Sequence, residues 1–243
     1  MQTEYQKKTL SFATMPELPY SVEEAVNRLR VNINFLGRDI HKIMIVSSLP
    51  DEGKSFVTMQ LWRQMAERGT STLLIDADLR KSVLTDKYDM TADDGGQIQG
   101  TSHYLSGDSA PEEAIYHTHY GHGDILPNVD NVINPSLLIE NSRFQELMDY
   151  ADQHYQYTFI DCPPLGMVSD GEQIANMCDG AILCVRAGDT SKSIVRNTIN
   201  QLKRAGCPLL GIVLNRVNTS TGSYYHKYYG NKYYSDKYYT DKK

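Results

Sequence analysis

A chain of 243 residues with 40% hydrophobic content has room for one sizeable domain and a short appendage. Its formal charge of −6 excludes bulk nucleic-acid binding, which goes with a basic excess, so no nucleic-acid partner is expected. The longest apolar runs, such as Ala181–Val185, fall far short of the roughly 20 residues a membrane helix needs. Nothing apolar follows the basic pair Lys7-Lys8, so a signal peptide is not expected either. Cys162, Cys178, Cys184 and Cys207 stand apart without CxxC spacing, which suits free thiols in a reducing, cytoplasmic setting.

The first expected element is a helix over Val22–Phe35. Ile43–Val46 then reads as a strand ending at a loop with Pro50 and Gly53. Phe56–Ala66 carries Phe56, Met59, Trp62 and Met65 at helical spacing, with Trp62 packing the helix on a sheet. Thr72–Ile75 is a second strand, ending at Asp76. Thr91–Gly107, rich in Gly, Asp and Ser, reads as a surface loop region. Glu140–His154 is a crossover helix, Thr158–Ile160 a strand ending at Asp161, and Ala181–Val185 another strand. Ser191–Ala205 is the next crossover helix and Leu209–Leu214 the last strand. Apolar strands joined through helices indicate a mainly parallel sheet covered on both faces.

The expected fold is therefore three-layer α/β, and the segment Ser48-Leu49-Pro50-Asp51-Glu52-Gly53-Lys54-Ser55 between its first core strand and helix makes the expected architecture a P-loop NTPase. Residues 1–35 form an N-terminal segment, 36–217 the core and 218–243 a tail. The tail has almost no aliphatic residue but carries tyrosine pairs at Tyr224/Tyr225, Tyr228/Tyr229, Tyr233/Tyr234 and Tyr238/Tyr239. Such a composition buries too little apolar surface to fold alone and predicts mobility.

Between the strand Ile43–Val46 and its following helix lies Ser48-Leu49-Pro50-Asp51-Glu52-Gly53-Lys54-Ser55. A phosphate cradle needs glycine where backbone N–H groups turn toward phosphate oxygens, a lysine that reaches the β- and γ-phosphates, and Ser or Thr on Mg²⁺. Gly53, Lys54 and Ser55 meet those needs, and Ser48 stands where the general motif has its first Gly. The carboxylates of Asp51 and Glu52 are awkward beside a polyanion and are expected to point outward. Asp161 follows an apolar strand, as a Walker-B carboxylate holding Mg²⁺ through water does. Asp76 and Asp78 follow another strand in Leu74-Ile75-Asp76-Ala77-Asp78-Leu79-Arg80. Strand ends of a parallel sheet converge on the ligand crevice, which brings all three carboxylates toward Lys54.

These motifs, with the tyrosine-rich tail, resemble the bacterial tyrosine kinases (BY-kinases) of capsular and exopolysaccharide synthesis, in their non-fused cytoplasmic form. The family's Walker A, with a small first residue and a central Pro, is matched by Ser48, Pro50, Gly53, Lys54 and Ser55. Its second motif, three apolar residues then DxDxR, is matched by Leu73–Arg80, and its Walker B by Phe159–Pro164. Asn134–Leu138 through Phe144 and Leu147 looks like the family's segment before Walker B. The family's ExxRxxR helix is present as Glu24-Ala25-Val26-Asn27-Arg28-Leu29-Arg30, with Asn27 for the middle Arg and Arg28 about 100° round the helix. Ring contacts through Glu24, Arg28 and Arg30 stand beside a plainly solvated charged face as readings of this helix.

The resemblance implies a protein-tyrosine kinase that uses ATP and Mg²⁺, phosphorylates its own tail in trans and regulates polysaccharide synthesis and export. It places ATP on Ser48, Pro50, Asp51, Glu52, Gly53, Lys54, Ser55 and Phe56, and the metal on Ser55, Asp78 and Asp161. Lys54, Asp76 and Asp78 are then the catalytic set, with Asp76 taking the phenol proton. Arg80 either neutralises charge or pairs with an acid, and Asn215 either contacts adenine or is a satisfied turn residue. The implied acceptors are Tyr224, Tyr225, Tyr228, Tyr229, Tyr233, Tyr234, Tyr238 and Tyr239. The implied partners are a separate transmembrane activator, further copies of the chain and a counteracting protein-tyrosine phosphatase, with the chain peripheral at the inner face of the membrane.

Two rival readings remain. A partitioning or septum-site-type ATPase carries a lysine where this chain has Leu49. A nucleotide-gated regulatory subunit would use the tail only for docking. His117, His119 and His122 read as surface histidines of a loop rather than a zinc site, which needs tetrahedral geometry and a further ligand. Cys162 has no nearby His to activate its thiol.

Overall fold

The computed structural model describes residues 8–217. The tail over 218–243, with every expected acceptor tyrosine, lies outside the described residues. In chain order the elements are β1 (Thr9–Phe12), α1 (Tyr20–Ile33), β2 (Lys42–Ser47), α2 (Lys54–Glu67), β3 (Thr72–Asp76), α3 (Leu84–Lys87), β4 (Met90–Ala92), α4 (Thr101–Ser106) and α5 (Pro111–Ala114). They continue with β5 (Tyr116–Thr118), β6 (Gly123–Leu126), α6 (Ser136–Ile139), α7 (Ser142–His154), β7 (Tyr157–Asp161), α8 (Asp170–Ala175), β8 (Gly180–Arg186), α9 (Lys192–Arg204) and β9 (Leu209–Asn215).

Among the described residues the strands form one sheet in the order β4-β1-β5-β6-β3-β7-β2-β8-β9. From β6 to β9 every neighbouring pair is parallel. At the other end β5 runs antiparallel to β6, β1 parallel to β5, and β4 antiparallel to β1. The central strands β3 and β7 are buried along their whole length, which is why they read as unbroken apolar runs.

Two apolar cores lie on the two faces. One packs α1 and α2 on the sheet through Val26, Ile33, Leu61, Trp62 and Met65 against Ile43, Ile45 and Leu74. The other packs the later helices through Leu105, Phe144, Leu147, Ile174 and Leu202 against Leu73, Ile75 and Leu183. Each such large side chain, once buried, contributes about 1.5–3 kcal/mol. Trp62 is fully buried on α2, and its indole N–H donates to the Asp124 carbonyl at 3.0 Å. The helix ends where Gly69 takes a left-handed φ of 84°.

Three expectations are corrected. The helix expected over Glu140–His154 is present as α7 but starts two residues later, at Ser142, because the Asn141 side chain accepts from the Arg143 N–H and caps it. Thr91–Gly107 is not simply a surface loop. Its start belongs to β4, and α4 buries Thr101, Tyr104 and Leu105. The Gly and Asp residues lie between these pieces, so averaging composition over the stretch hid both. His117 lies in β5 rather than in a loop.

Candidate active site

β2 lies between β7 and β8, while the next strand in the chain, β3, lies beyond β7. That crossover opens a crevice at the strand C-terminal ends, where ligands of open α/β sheets bind. Ser48–Gly53 bridges β2 and α2 there. Asp51 and Gly53 both take left-handed backbone angles, φ 60° and 93°. Glycine is needed at 53 for space as well, since an added Cβ would stand 2.0 Å from Asn215 Nδ2.

The loop is held from beneath. Ser48 is buried and its hydroxyl accepts from Thr198 Oγ of α9 at 2.8 Å. Asn215 Nδ2, at the end of β9, donates to the Glu52 carbonyl at 2.9 Å. Glu52 does not point outward; its side chain is buried. The carboxylate accepts from the Leu49 N–H at 2.8 Å, the Arg186 N–H at 3.2 Å and the Thr190 hydroxyl. Turned inward, it ties the loop to the end of β8, and its charge is spent on donors rather than facing phosphate. Asp51 remains exposed.

Lys54 opens α2 and is the hub of the site. Its Nζ lies 2.9 Å from Asp78 Oδ2, 3.6 Å from Asp161 Oδ2 and 3.2 Å from the Ser55 hydroxyl. Burial works to lower the pKa of the ammonium, but Asp161 and Asp78 together outweigh it and hold the pKa above the ordinary lysine value. Asp161 ends β7 and also accepts from Thr58 Oγ at 3.3 Å; burial raises its pKa despite Lys54. Asp76 ends β3, fully buried, and accepts from Ser82 Oγ at 2.5 Å and from the Asp78 N–H at 3.2 Å. Burial first, then the nearby Asp161, push its pKa up to about 8.

Arg80 lines the same opening as Lys54 and Asp78, and its guanidinium is engaged by an acid. Its Nε and Nη2 donate to the two oxygens of Asp170, at 2.5 and 3.2 Å, and Ser136 Oγ joins Asp170 at 2.6 Å. Burial would raise the pKa of the Asp170 carboxyl, but Arg80 and Ser136 hold it below the usual range. Of the two readings of Arg80, this structure displays the paired one.

A pocket of about 270 Å³ opens over this cluster, lined by Pro50, Gly53, Lys54, Ser55, Phe56 and Asp78, with a further wall of Val83, Pro163, Pro164, Met167 and Val168. Among the described residues no three His, Cys, Asp or Glu side chains are arranged to hold a metal by themselves. The Ser55 hydroxyl and the Asp78 and Asp161 carboxylates suit Mg²⁺, a hard ion that takes oxygen ligands, one or two of them carboxylates, and completes its shell with water and phosphate. Glu24, Arg28 and Arg30 do not line the pocket. They lie on α1, where Arg30 donates to Asn27 Oδ1 at 2.9 Å, while the neighbouring Glu23 contacts Arg63 and Gln64 of α2. His117 and His119 pair with Asp124 and Asp93. Burial pushes the Cys162 thiol well up, so it is inert.

Glu52 as an organiser, Thr198 and Asp170 were not found by sequence reasoning. Asp170 is 90 residues from Arg80, and no local pattern announces the pair. A buried role for Glu52 was readable only as a question, since a carboxylate beside a phosphate loop needs a reason to be there.

Residues 43–236 match the family described as the CobQ/CobB/MinD/ParA nucleotide binding domain. The chain is 36% identical over 203 residues to the tyrosine-protein kinase CpsD of Streptococcus agalactiae serotype III, covering 83% of this chain and 85% of that protein. Among solved structures, the kinase domain of VpsO superposes with a TM-score of 0.74 at 32% identity, covering 82% of this chain and 95% of that one. The septum site-determining protein MinD of Pyrococcus horikoshii, complexed with Mg-ADP, gives a TM-score of 0.63 at 27% identity over 75% of this chain and 72% of that one.

Proposed function

The chain belongs to the bacterial tyrosine kinases of the CobQ/CobB/MinD/ParA nucleotide-binding class, and from that premise we propose that it moves the γ-phosphoryl group of ATP to tyrosines of its own C-terminal cluster. The observation that carries this reading is that Asp78 and Asp161 both contact Lys54, with the Asp76 charge acting on it as well, beside a pocket with an apolar wall. A bare ATPase needs the phosphate cradle and a water; a phenol acceptor also needs an apolar slot and a base.

The backbone N–H groups of the loop and Lys54 bind the phosphates, and Ser55, Asp78 and Asp161 are the residues that would hold Mg²⁺. The metal, when bound, neutralises charge on the β- and γ-phosphates. Binding of the triphosphate draws Lys54 from Asp78, freeing that carboxylate. The acceptor phenol oxygen bonds the γ-phosphorus while the bond from that phosphorus to the β–γ bridging oxygen breaks. ADP departs, and the phenol proton goes to Asp76, whose raised pKa suits a base working near neutrality. Asn215 acts as a loop support, since its amide is engaged with the Glu52 carbonyl.

In this reading the acceptors Tyr224 to Tyr239 reach the pocket of another copy, with α1 (Glu24, Arg28, Arg30) at the contact between copies. A separate transmembrane activator holds the chain at the inner membrane face, a phosphatase reverses the modification, and the cycle regulates capsular or exopolysaccharide synthesis. The alternative of a partitioning-type ATPase is disfavoured by Leu49, which leaves no lysine early in the loop. Incubation with Mg-ATP followed by mass spectrometric mapping tests the proposal: phosphate is expected on tail tyrosines and absent in Lys54→Met. ATP turnover with an unmodified tail, even with a membrane activator added, would refute it.

A further inference from the structure

The mouth of the pocket carries charge that the transfer scheme leaves unused. Lys81, Lys87 and Arg216 line it, and all three are exposed. Among the described residues none of them forms an ion pair with a carboxylate; Lys87 instead stands over the rings of Phe56 and Tyr88, at 5.4 and 5.5 Å. In a chain of net charge −6, three unpaired cations about one opening outnumber the exposed Asp51 carboxylate there and are a local surplus. The phosphates of ATP are already met by Lys54 and the loop N–H groups. The apolar wall of Val83, Pro164 and Met167 offers a flat seat for a ring but nothing to a charge.

The tail sequence supplies a matching pattern. Its tyrosines come in adjacent pairs, and Lys227, Lys232 and Lys237 each immediately precede one. Asp236 and Asp241 offset Lys232 and Lys237, so the last two pairs arrive unmodified with little net charge to hold them at a positive rim. One phosphate adds roughly −1.5 to −2 and makes the pair strongly negative. Neighbouring α-carbons are about 3.8 Å apart, and in an extended chain their side chains diverge, so one ring can enter the slot while its neighbour lies across the mouth.

Resting on the kinase reading above, we propose that the preferred acceptor of this pocket is a tyrosine whose pair-mate already carries phosphate, recognised by Lys81, Lys87 and Arg216. Pairs are then completed one after the other rather than at random. No new chemistry is involved. Each transfer moves one γ-phosphoryl group from ATP to one phenol oxygen, releasing ADP and a proton, and the priming phosphate is the product of the preceding transfer and stays where it is.

The test uses the full-length chain, saturating Mg-ATP and two synthetic peptides spanning residues 231–241, each with Tyr239 as sole acceptor and Phe at 233 and 234. One peptide carries phosphotyrosine at 238 and the other Phe. The primed peptide is expected to show kcat/KM about 10-fold higher, the size of one or two exposed charge-assisted contacts. In the double variant Lys81→Ala with Arg216→Ala the ratio falls toward one, while Lys81→Arg keeps it. Because the readout is a ratio at saturating ATP, altered nucleotide affinity or partial loss of fold cancels. Equal rates for the two peptides, or a ratio untouched in the double variant, overturns the priming proposal and leaves the kinase reading standing. Failure of both peptides, with no phosphotyrosine on the chain itself, overturns both.

Discussion

Lys54 Nζ stands 2.9 Å from Asp78 Oδ2, so the lysine proposed to meet the phosphates is held by the carboxylate proposed to meet the metal. Both groups are almost wholly buried, with side chains 11% and 7% exposed. Removing one member of such a pair leaves the other's charge uncompensated and costs about 3–5 kcal/mol. Lys54→Met is therefore expected to lower the melting temperature as well as abolish tail phosphorylation. Lowering the pH should recover part of the stability, because burial already raises the pKa of the leftover Asp161 carboxyl and protonating it removes its charge. Melting curves of the two proteins at pH 8 and at lower pH measure this; a variant as stable as the parent at pH 8 would show that the pair does not hold the loop.

Asp76 gives a pH dependence of definite sign. Its carboxyl has a pKa near 3.9 in an unfolded chain, and burial and Asp161 raise it to about 8 in the fold. Between those values the folded state binds the extra proton, so the contribution to stability is fully present below pH 4 and is lost as pH rises toward 8. The nucleotide-free protein is expected to lose stability from pH 6 to pH 8, and Asp76→Asn to flatten that slope. In kinetics the proton acceptor must be ionised, so kcat/KM should rise with pH toward a limb near 8. A stability slope unchanged in Asp76→Asn would remove Asp76 as its source.

Much of this was legible because both the sheet and the phosphate loop are local devices. The runs Ile43–Val46, Thr72–Ile75 and Ala181–Val185 are strands because each is buried on both faces, and Asp76 and Asp161 are found at strand ends as their positions in sequence imply. What escaped depends on contacts between distant segments. The start of α7 at Ser142 is a capping choice made by one side chain, and α4 is held by Tyr104 and Leu105 against a core assembled from other elements. The inward turn of Glu52 needs Arg186 and Thr190, more than 130 residues away, to be in place.

That inward turn makes Glu52 a positioning residue. Three donors converge on its carboxylate, and stranding a buried donor costs about 1–3 kcal/mol. Glu52→Ala is expected to weaken ATP binding by about tenfold or more, because the Leu49 N–H loses its acceptor and the loop its anchor on β8. Glu52→Gln, which keeps one acceptor oxygen, should fall between that variant and the parent. Nucleotide titration followed by tryptophan-independent calorimetry reads the order of affinities. If both variants bind ATP as the parent does, the carboxylate is not what shapes the loop.

The loop after β7 meets the phosphate loop backbone to backbone, and one substitution isolates that contact. Gly166 donates its N–H to the Ser48 carbonyl at 3.1 Å, and a Cβ at 166 would stand 2.4 Å from that same oxygen. The backbone carbonyl of Ser48, the residue next after β2 and one whose hydroxyl Thr198 holds, cannot swing aside as a flexible side chain would, so Gly166→Ala must push the two loops apart. Overpacking of this kind costs about 1–3 kcal/mol. The displacement also carries Pro163 and Pro164 away from Lys54, so phosphoryl transfer should fall further than the loss of stability accounts for. Gly211→Ala is the matched control, since nothing lies within 4 Å of an added Cβ there; it is expected to leave melting and transfer unchanged. Equal behaviour of the two variants in melting and in labelled-phosphate transfer would mean that contact between these loops is not needed to form the site.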